Sequence, residues 1–190
     1  MALTEEMIDL IFKHRDLKEM VVLRNFNTNV PSWQEFIDYI NMASRQKDPS
    51  HSLTDYEIKK DSVWAGSMKI MQKFYFYIMR QGNMWPDAPD LGISRLIEEE
   101  FSKALGVVFG FSHVYVTLSD NIDSVPQHED PADNFYWQCI GSTEWEFNDK
   151  KYIVNPGDMV YVPAKSLHGV NFLGPRAAIG FGCNFSKRSN

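Results

Sequence analysis

The chain has 190 residues, 44% of them hydrophobic and 23% charged, which is ample for a globular core and excludes a disordered or fibrous polypeptide. Its net charge of −6 and pI ≈ 5.3 exclude nonspecific binding to nucleic acid or to an anionic membrane, because both require a basic face. Aromatic residues, at 14%, predict a thick aromatic core or an aromatic-lined pocket.

The segment from Met1 to Glu6 is acidic and lacks an apolar signal core, and no apolar run is long enough to span a membrane. Cys139 and Cys183 fall in β-rich runs without CxxC spacing, which predicts buried thiols in a reducing compartment. These features predict a cytoplasmic protein.

Leu3, Met7, Leu10 and Ile11 recur at helical spacing, with acids in the first turn. Met20 to Leu23 is a short apolar run that suits an early strand. Ser32, Trp33, Gln34 and Glu35 form a capping box after Pro31, and Trp33, Phe36, Ile37 and Ile40 then mark one buried helical face. Residues 45–62 are polar and predict a loop. Residues 67–80 fit a helix through Met71, Phe74, Tyr75 and Ile78, and fit alternation through Phe74, Phe76 and Ile78; the length of the run favours helix. Asn83 to Leu91 predicts a loop. Ile93, Leu96, Ile97, Phe101 and Leu105 make a further helical face, stopped by Gly106.

From Val107 the texture changes. Short β-rich runs at 112–119, 134–140, 144–147, 151–154, 158–162, 168–172 and 176–184 alternate with turn signals. Asn155, Pro156, Gly157 and Asp158 suit a type II turn. The expected fold is mainly β with N-terminal α-helices: one domain over 1–190, with a helical elaboration of about 1–105 on a small sandwich or barrel of about 107–186. The helices could pack on that barrel or on a second subunit, so a homodimer stays open.

His128 and Asp130, followed at a distance by His168, can set two imidazoles and one carboxylate on one face of a metal. That is the facial arrangement of non-haem Fe(II) oxygenases, which leaves positions open for a co-substrate and dioxygen. If His128 opens a strand, residues two apart share its face, so Asp130 joins it while Glu129 points away. A solvated turn is the plainer account of a lone His-x-Asp pair. The acids Asp120, Asp123, Glu129 and Asp133 read as a solvated rim. His14, His51 and His113 have no partner pattern.

Gly157, Pro163 and His168, in a Gly-x5-Pro-x4-His pattern, resemble the second motif of cupins, the double-stranded β-helix proteins. His128, Asp130, Asn134, Gln138 and Gly141 resemble the HxDxxxNxxxQxxG stretch of JmjC-type oxygenases. The nearest subgroup holds the asparaginyl hydroxylase of the hypoxia response and the ribosomal-protein hydroxylases. Ile179 to Phe185, with its Asn184-Phe185 pair, is similar to that subgroup's last core strand, and Val21 to Phe26 to its entry strand. The likeness is densest over about 115–185.

The resemblance implies a double-stranded β-helix that holds Fe(II) and 2-oxoglutarate, with His128, Asp130 and His168 as metal ligands. In such enzymes the keto acid chelates the iron, and its oxidative decarboxylation by dioxygen drives hydroxylation of a C–H bond. Asn134 and Asn184 fall where the family places amides near the chelating end of 2-oxoglutarate. Tyr115 falls where relatives put a pocket-lining residue, with Thr117 one strand step away, and Tyr136 and Gln138 share the face of Asn134. Thr143 stands where relatives often carry a Lys for the far carboxylate, and a hydroxyl is a weaker partner than a cation. Arg176, Tyr136, Tyr115 or Lys165 could replace that Lys. Arg176 is favoured, because a cation after the distal His serves this role in other 2-oxoglutarate oxygenases.

The expected activity is therefore an Fe(II)- and 2-oxoglutarate-dependent dioxygenase that hydroxylates a protein side chain or a small molecule. Two alternatives remain: a metal cupin enzyme that does not use 2-oxoglutarate, and a non-catalytic cupin-like binding module.

Overall fold

A computed structural model describes residues 3–44, 76–81, 92–118 and 125–185. In chain order the elements are α1 (Glu5–Leu17), β1 (Val21–Leu23), α2 (Trp33–Ser44), β2 (Phe76–Gln81), α3 (Ile93–Leu105), β3 (Val107–Thr117), β4 (Val125–His128), β5 (Asp133–Ile140), β6 (Thr143–Phe147), β7 (Lys150–Val154), β8 (Met159–Val162), β9 (His168–Phe172) and β10 (Arg176–Phe185). The strands form two antiparallel sheets, one ordered β1-β8-β5-β10-β3-β2 and the other β4-β9-β6-β7. This is the jelly-roll arrangement of a double-stranded β-helix.

Alternation along the strands makes two cores. On the outer face of the larger sheet, Phe135, Trp137, Ile179 and Phe181 pack against Ile11 of α1, Phe36 and Tyr39 of α2, and Ile97 and Phe101 of α3. The intervening residues point inward. Tyr115, Val160 and Val162 of the larger sheet meet Val125, Trp145, Phe147 and Val170 of the smaller one. The helices therefore shield one face of the large sheet and leave its other face to build an interior.

Helix ends follow the sequence signals. Ser32 and Glu35 close the capping box reciprocally: Glu35 N–H donates to Ser32 Oγ at 3.3 Å, and Ser32 N–H donates to Glu35 Oε2 at 2.8 Å. These bonds from Ser32 hold the Glu35 carboxyl below its ordinary range. A carboxyl whose folded value is depressed stabilises fully above its unfolded value and loses that contribution as pH falls through the lowered one. Ser32→Ala is expected to cost about 1 kcal/mol at neutral pH and less in acid, where Glu35 is protonated in either protein. Urea denaturation midpoints at the two pH values check this.

Two expectations need correction. Residues 76–81 are a strand, not the end of a helix, and β2 pairs antiparallel with β3 from Phe76↔Thr117 to Gln81↔Ser112. The alternating pattern won because β3 is otherwise an edge whose backbone groups need a partner. Residues 67–75, the loops assigned to 45–62 and 83–91, and His51, Asp120 and Asp123 lie outside the described residues. The early strand expected within Met20 to Leu23 forms as β1, and β1 and β2 supply the two edges of the large sheet.

The second correction concerns His128, which closes β4 instead of opening a strand; Asp130 lies in the turn before β5. The chain passes there from the small sheet to the large one, and Pro131 has no N–H with which to continue a ladder. The predicted turn at 155–158 forms, with Gly157 at φ +93° and Asp158 N–H donating to Asn155 O at 3.0 Å. No helix among the described residues is long and apolar enough to cross a membrane.

Candidate functional site

His128 and His168 face each other directly across the β4–β9 ladder. Opposed residues on one face have Cβ atoms about 5 Å apart, and the two imidazole centroids lie 4.3 Å from each other. Asp130 reaches the pair from its turn. Its Oδ2 is 4.0 Å from His128 Nε2 and 3.6 Å from His168 Nε2. One ligand atom from each of the three residues lies within 4.8 Å of the others.

Hydrogen bonds behind the rings fix their orientation. His128 Nδ1 lies 2.9 Å from Pro126 O, and His168 Nδ1 lies 2.9 Å from Ser166 O. A carbonyl only accepts, so each Nδ1 carries a proton there, and each Nε2 faces Asp130. Burial, followed by the nearby His128, lowers the His168 basicity and keeps that ring neutral. Asn134, on the inward face of β5, donates through Nδ2 to Asp130 Oδ2 at 2.7 Å and to Ala132 O at 3.3 Å. Lys165 N–H donates to Asp130 O at 2.7 Å, so the turn is held at its backbone as well.

Beside the histidines is a small cavity, partly open to solvent. Tyr115, Tyr136 and Arg176 lie at its polar end, and Val125, Trp145 and Val170 make its apolar wall. Arg176 is 4% exposed, with its guanidinium carbon 3.9 Å from the centroid of the Phe172 ring. Burial lowers its value to about 10, so it is still a cation at neutral pH. Tyr115 Oη and Tyr136 Oη are 3.0 Å apart, and burial pushes both phenols up. Thr117 stands opposite Arg176 in the β3–β10 register. Its Oγ1 is buried without a hydrogen-bond partner among the described residues. Thr117 is not among the residues that border the cavity.

The remaining residues singled out by sequence lie elsewhere. Thr143 is fully buried but does not border the cavity: its Oγ1 donates to Gln138 Oε1 at 3.3 Å and accepts from Trp145 Nε1 at 3.1 Å. Through Trp145 it supports the site indirectly, because that indole stacks on His168 with centroids 5.8 Å apart and planes 12° from parallel. Asn184 is exposed at the end of β10, and Lys165 is exposed at φ 59°. Neither borders the cavity. Trp145 is a site residue that no motif in the sequence singles out. Its parity with Thr143 on β6 was the available signal.

No family model matches this chain, and no curated protein matches it. Solved structures do. The ribosomal oxygenase YcfD from Escherichia coli superposes with a TM-score of 0.64 at 16% identity, over 98% of this chain and 53% of that one. YcfD in complex with cobalt and succinic acid gives a TM-score of 0.60 at 15% identity, over 98% and 53%. Another X-ray structure of E. coli YcfD gives 0.61 at 13% identity, over 98% and 54%. This chain spans about half the length of those it matches. At such identities the likeness establishes the double-stranded β-helix fold.

Proposed function

We propose that this protein is a metal- and 2-oxoglutarate-dependent oxygenase that hydroxylates a protein side chain or a small molecule. The observation that carries the reading is the convergence of two imidazole nitrogens and one carboxylate beside a cavity that holds a buried cation. The donor set suits Fe(II), since two nitrogens and one oxygen from a single side leave room for exchangeable ligands. The cavity suits a dicarboxylate, because Arg176 supplies charge and Tyr115 and Tyr136 supply phenol hydroxyls. The fold shared with a ribosomal oxygenase is consistent with this and favours the ribosomal-protein hydroxylase subgroup.

In this reading His128, Asp130 and His168 hold the metal, and Arg176 with the two phenols holds the far carboxylate of 2-oxoglutarate. When bound, iron and 2-oxoglutarate supply the oxidising chemistry, with dioxygen as oxidant and succinate and carbon dioxide as by-products. The chain's own residues orient and exclude. Pro126 O and Ser166 O set the imidazole tautomers, and Asn134 holds Asp130 with one oxygen engaged. Trp145 packs flat on His168 and keeps water from that side of the ring.

Asn134→Ala should lower metal affinity by about 10–100-fold, as loss of a ligand's orienting partner does, while leaving the fold intact. A Co(II) titration followed by visible absorption measures it. The reading as a whole is tested by anaerobic visible spectroscopy of the Fe(II)-loaded protein titrated with 2-oxoglutarate. A new charge-transfer band, absent in His168→Ala, is expected. Bound iron without such a band would favour a metal enzyme that does not use 2-oxoglutarate. Failure to retain any divalent metal would leave the non-catalytic binding module.

A further inference from the structure

Gly180 lies within β10, and nothing in its own backbone asks for glycine. It is not among the residues with positive φ, so an alanine would meet no conformational strain there. Glycine inside a strand gives up side-chain packing, and a common reason is the close approach of another group. Here that group is a pair of rings. Ala177, Ile179 and Phe181 belong to the outer core, so Ala178 and Gly180 face the barrel interior. A Cβ at Gly180 would stand 2.8 Å from Cε2 of Tyr115, and 3.0 Å and 3.3 Å from Cε1 and Cδ1 of Tyr136. Carbon atoms settle at about 3.5–4.0 Å, so a methyl group would displace both rings.

The two rings reach over β10 from opposite sides. Tyr115 belongs to β3 and Tyr136 to β5, the strands that flank it, and Gly180 is the register partner of Tyr136. Their hydroxyl oxygens meet 3.0 Å apart, and their ring centroids lie 5.3 Å apart. Both rings border the cavity together with Arg176, which stands two inward positions earlier on the same strand as Gly180. Beyond Tyr136 is Trp145, with centroids 5.0 Å apart. A methyl group on an inward-facing position points away from the sheet. Tyr136 cannot retreat into Trp145 in a packed interior, so the rings would rise into the cavity.

We infer that Gly180 is a specificity-determining residue for the co-substrate: its bare backbone lets Tyr115 and Tyr136 lie low on β10, and so leaves the length that a five-carbon keto dicarboxylate needs to reach Arg176. This rests on the reading that such a co-substrate enters the cavity. Gly180 does not border the cavity itself and acts through the two phenols. An alanine there shortens the cavity and favours a four-carbon ligand. The selection acts on length, because the charge of Arg176 and the three candidate metal ligands stay as they are.

The test compares 2-oxoglutarate with oxaloacetate, which is one carbon shorter, on the Co(II)-loaded full chain without dioxygen. Each freshly dissolved keto acid is titrated and read promptly from the visible spectrum of the metal. Gly180→Ala should lower the preference for 2-oxoglutarate over oxaloacetate by about 10-fold, the scale of one surplus methyl group in a packed interior. A fault of the fold alone would weaken both keto acids alike and leave their ratio where it was. If Gly180→Ala fails to fold, the same substitution is made in Tyr115→Leu, which removes the ring in nearest contact, and is compared with Tyr115→Leu alone. Tyr136 is still lifted there, so the ratio should still fall. An unchanged ratio, with 2-oxoglutarate bound by the wild type, overturns the role of Gly180 and leaves the co-substrate reading standing. A wild type that retains Co(II) and binds neither keto acid overturns the co-substrate reading, and this inference with it.

Discussion

His168→Ala is expected to abolish metal retention while leaving a folded protein. The three candidate ligands converge from a strand, a turn and a second strand, so losing one leaves His128 and Asp130 with too few donors to hold an ion. The loss should exceed the roughly 100-fold that attends removal of an orienting partner, because a ligand itself is gone. The metal-free fold should tolerate the change. His168 is buried with its Nδ1 on a backbone carbonyl and Trp145 against its face, so alanine forfeits one hydrogen bond and a stack but leaves no buried charge. Metal content after dialysis against Fe(II) or Co(II), together with circular dichroism of the metal-free protein, separates the two effects. Retention of stoichiometric metal by the variant would sink the three-residue assignment.

The parts of this site legible in sequence are those whose chemistry is local. A His-x-Asp pair and a distant His on a Gly-Pro frame announce metal-binding donors regardless of how the chain reaches them. The inward face of β5 was legible too, since Asn134, Tyr136 and Gln138 obey strand parity. Asp130 was misplaced because parity assumes a strand, and the chain there is turning between sheets at Pro131. The strand at 76–81 was hidden for the opposite reason. Its apolar residues satisfy both periods, and only the open edge of β3 decides between them. The support that Trp145 gives His168 was legible only as a shared parity with Thr143, because the contact depends on what stands across the interior. Thr143 shows the same limit. Its position suggested a contact with the co-substrate, but its hydroxyl is engaged by Gln138 and Trp145, partners supplied by the folded barrel.

Arg176→Met should uncouple binding from stability in opposite directions. The guanidinium is buried over Phe172 and next to two phenols, and burial is the main cause that brings its value down to about 10. A base whose folded value lies below its unfolded one destabilises the fold while it is charged. That cost is present at neutral pH and is relieved only as pH rises through about 10. Met has a similar length and no charge, so the variant should gain on the order of 1 kcal/mol at pH 7, which raises Tm by roughly 2–4 °C in a chain of this size. The same change should weaken 2-oxoglutarate by about 100-fold, the value of a charge-assisted contact in a buried setting. Arg176→Lys should not restore it, because an ammonium cannot present the planar fork or keep the stack on Phe172. Thermal denaturation of the metal-free protein and calorimetric titration of the Zn(II)-loaded protein give the two halves of the result. A cation retained at a cost to the empty fold, and compensated when a dicarboxylate arrives, is what a binding site requires. If Arg176→Met instead lowers Tm and leaves affinity unchanged, Arg176 is a structural residue and the far carboxylate is bound elsewhere.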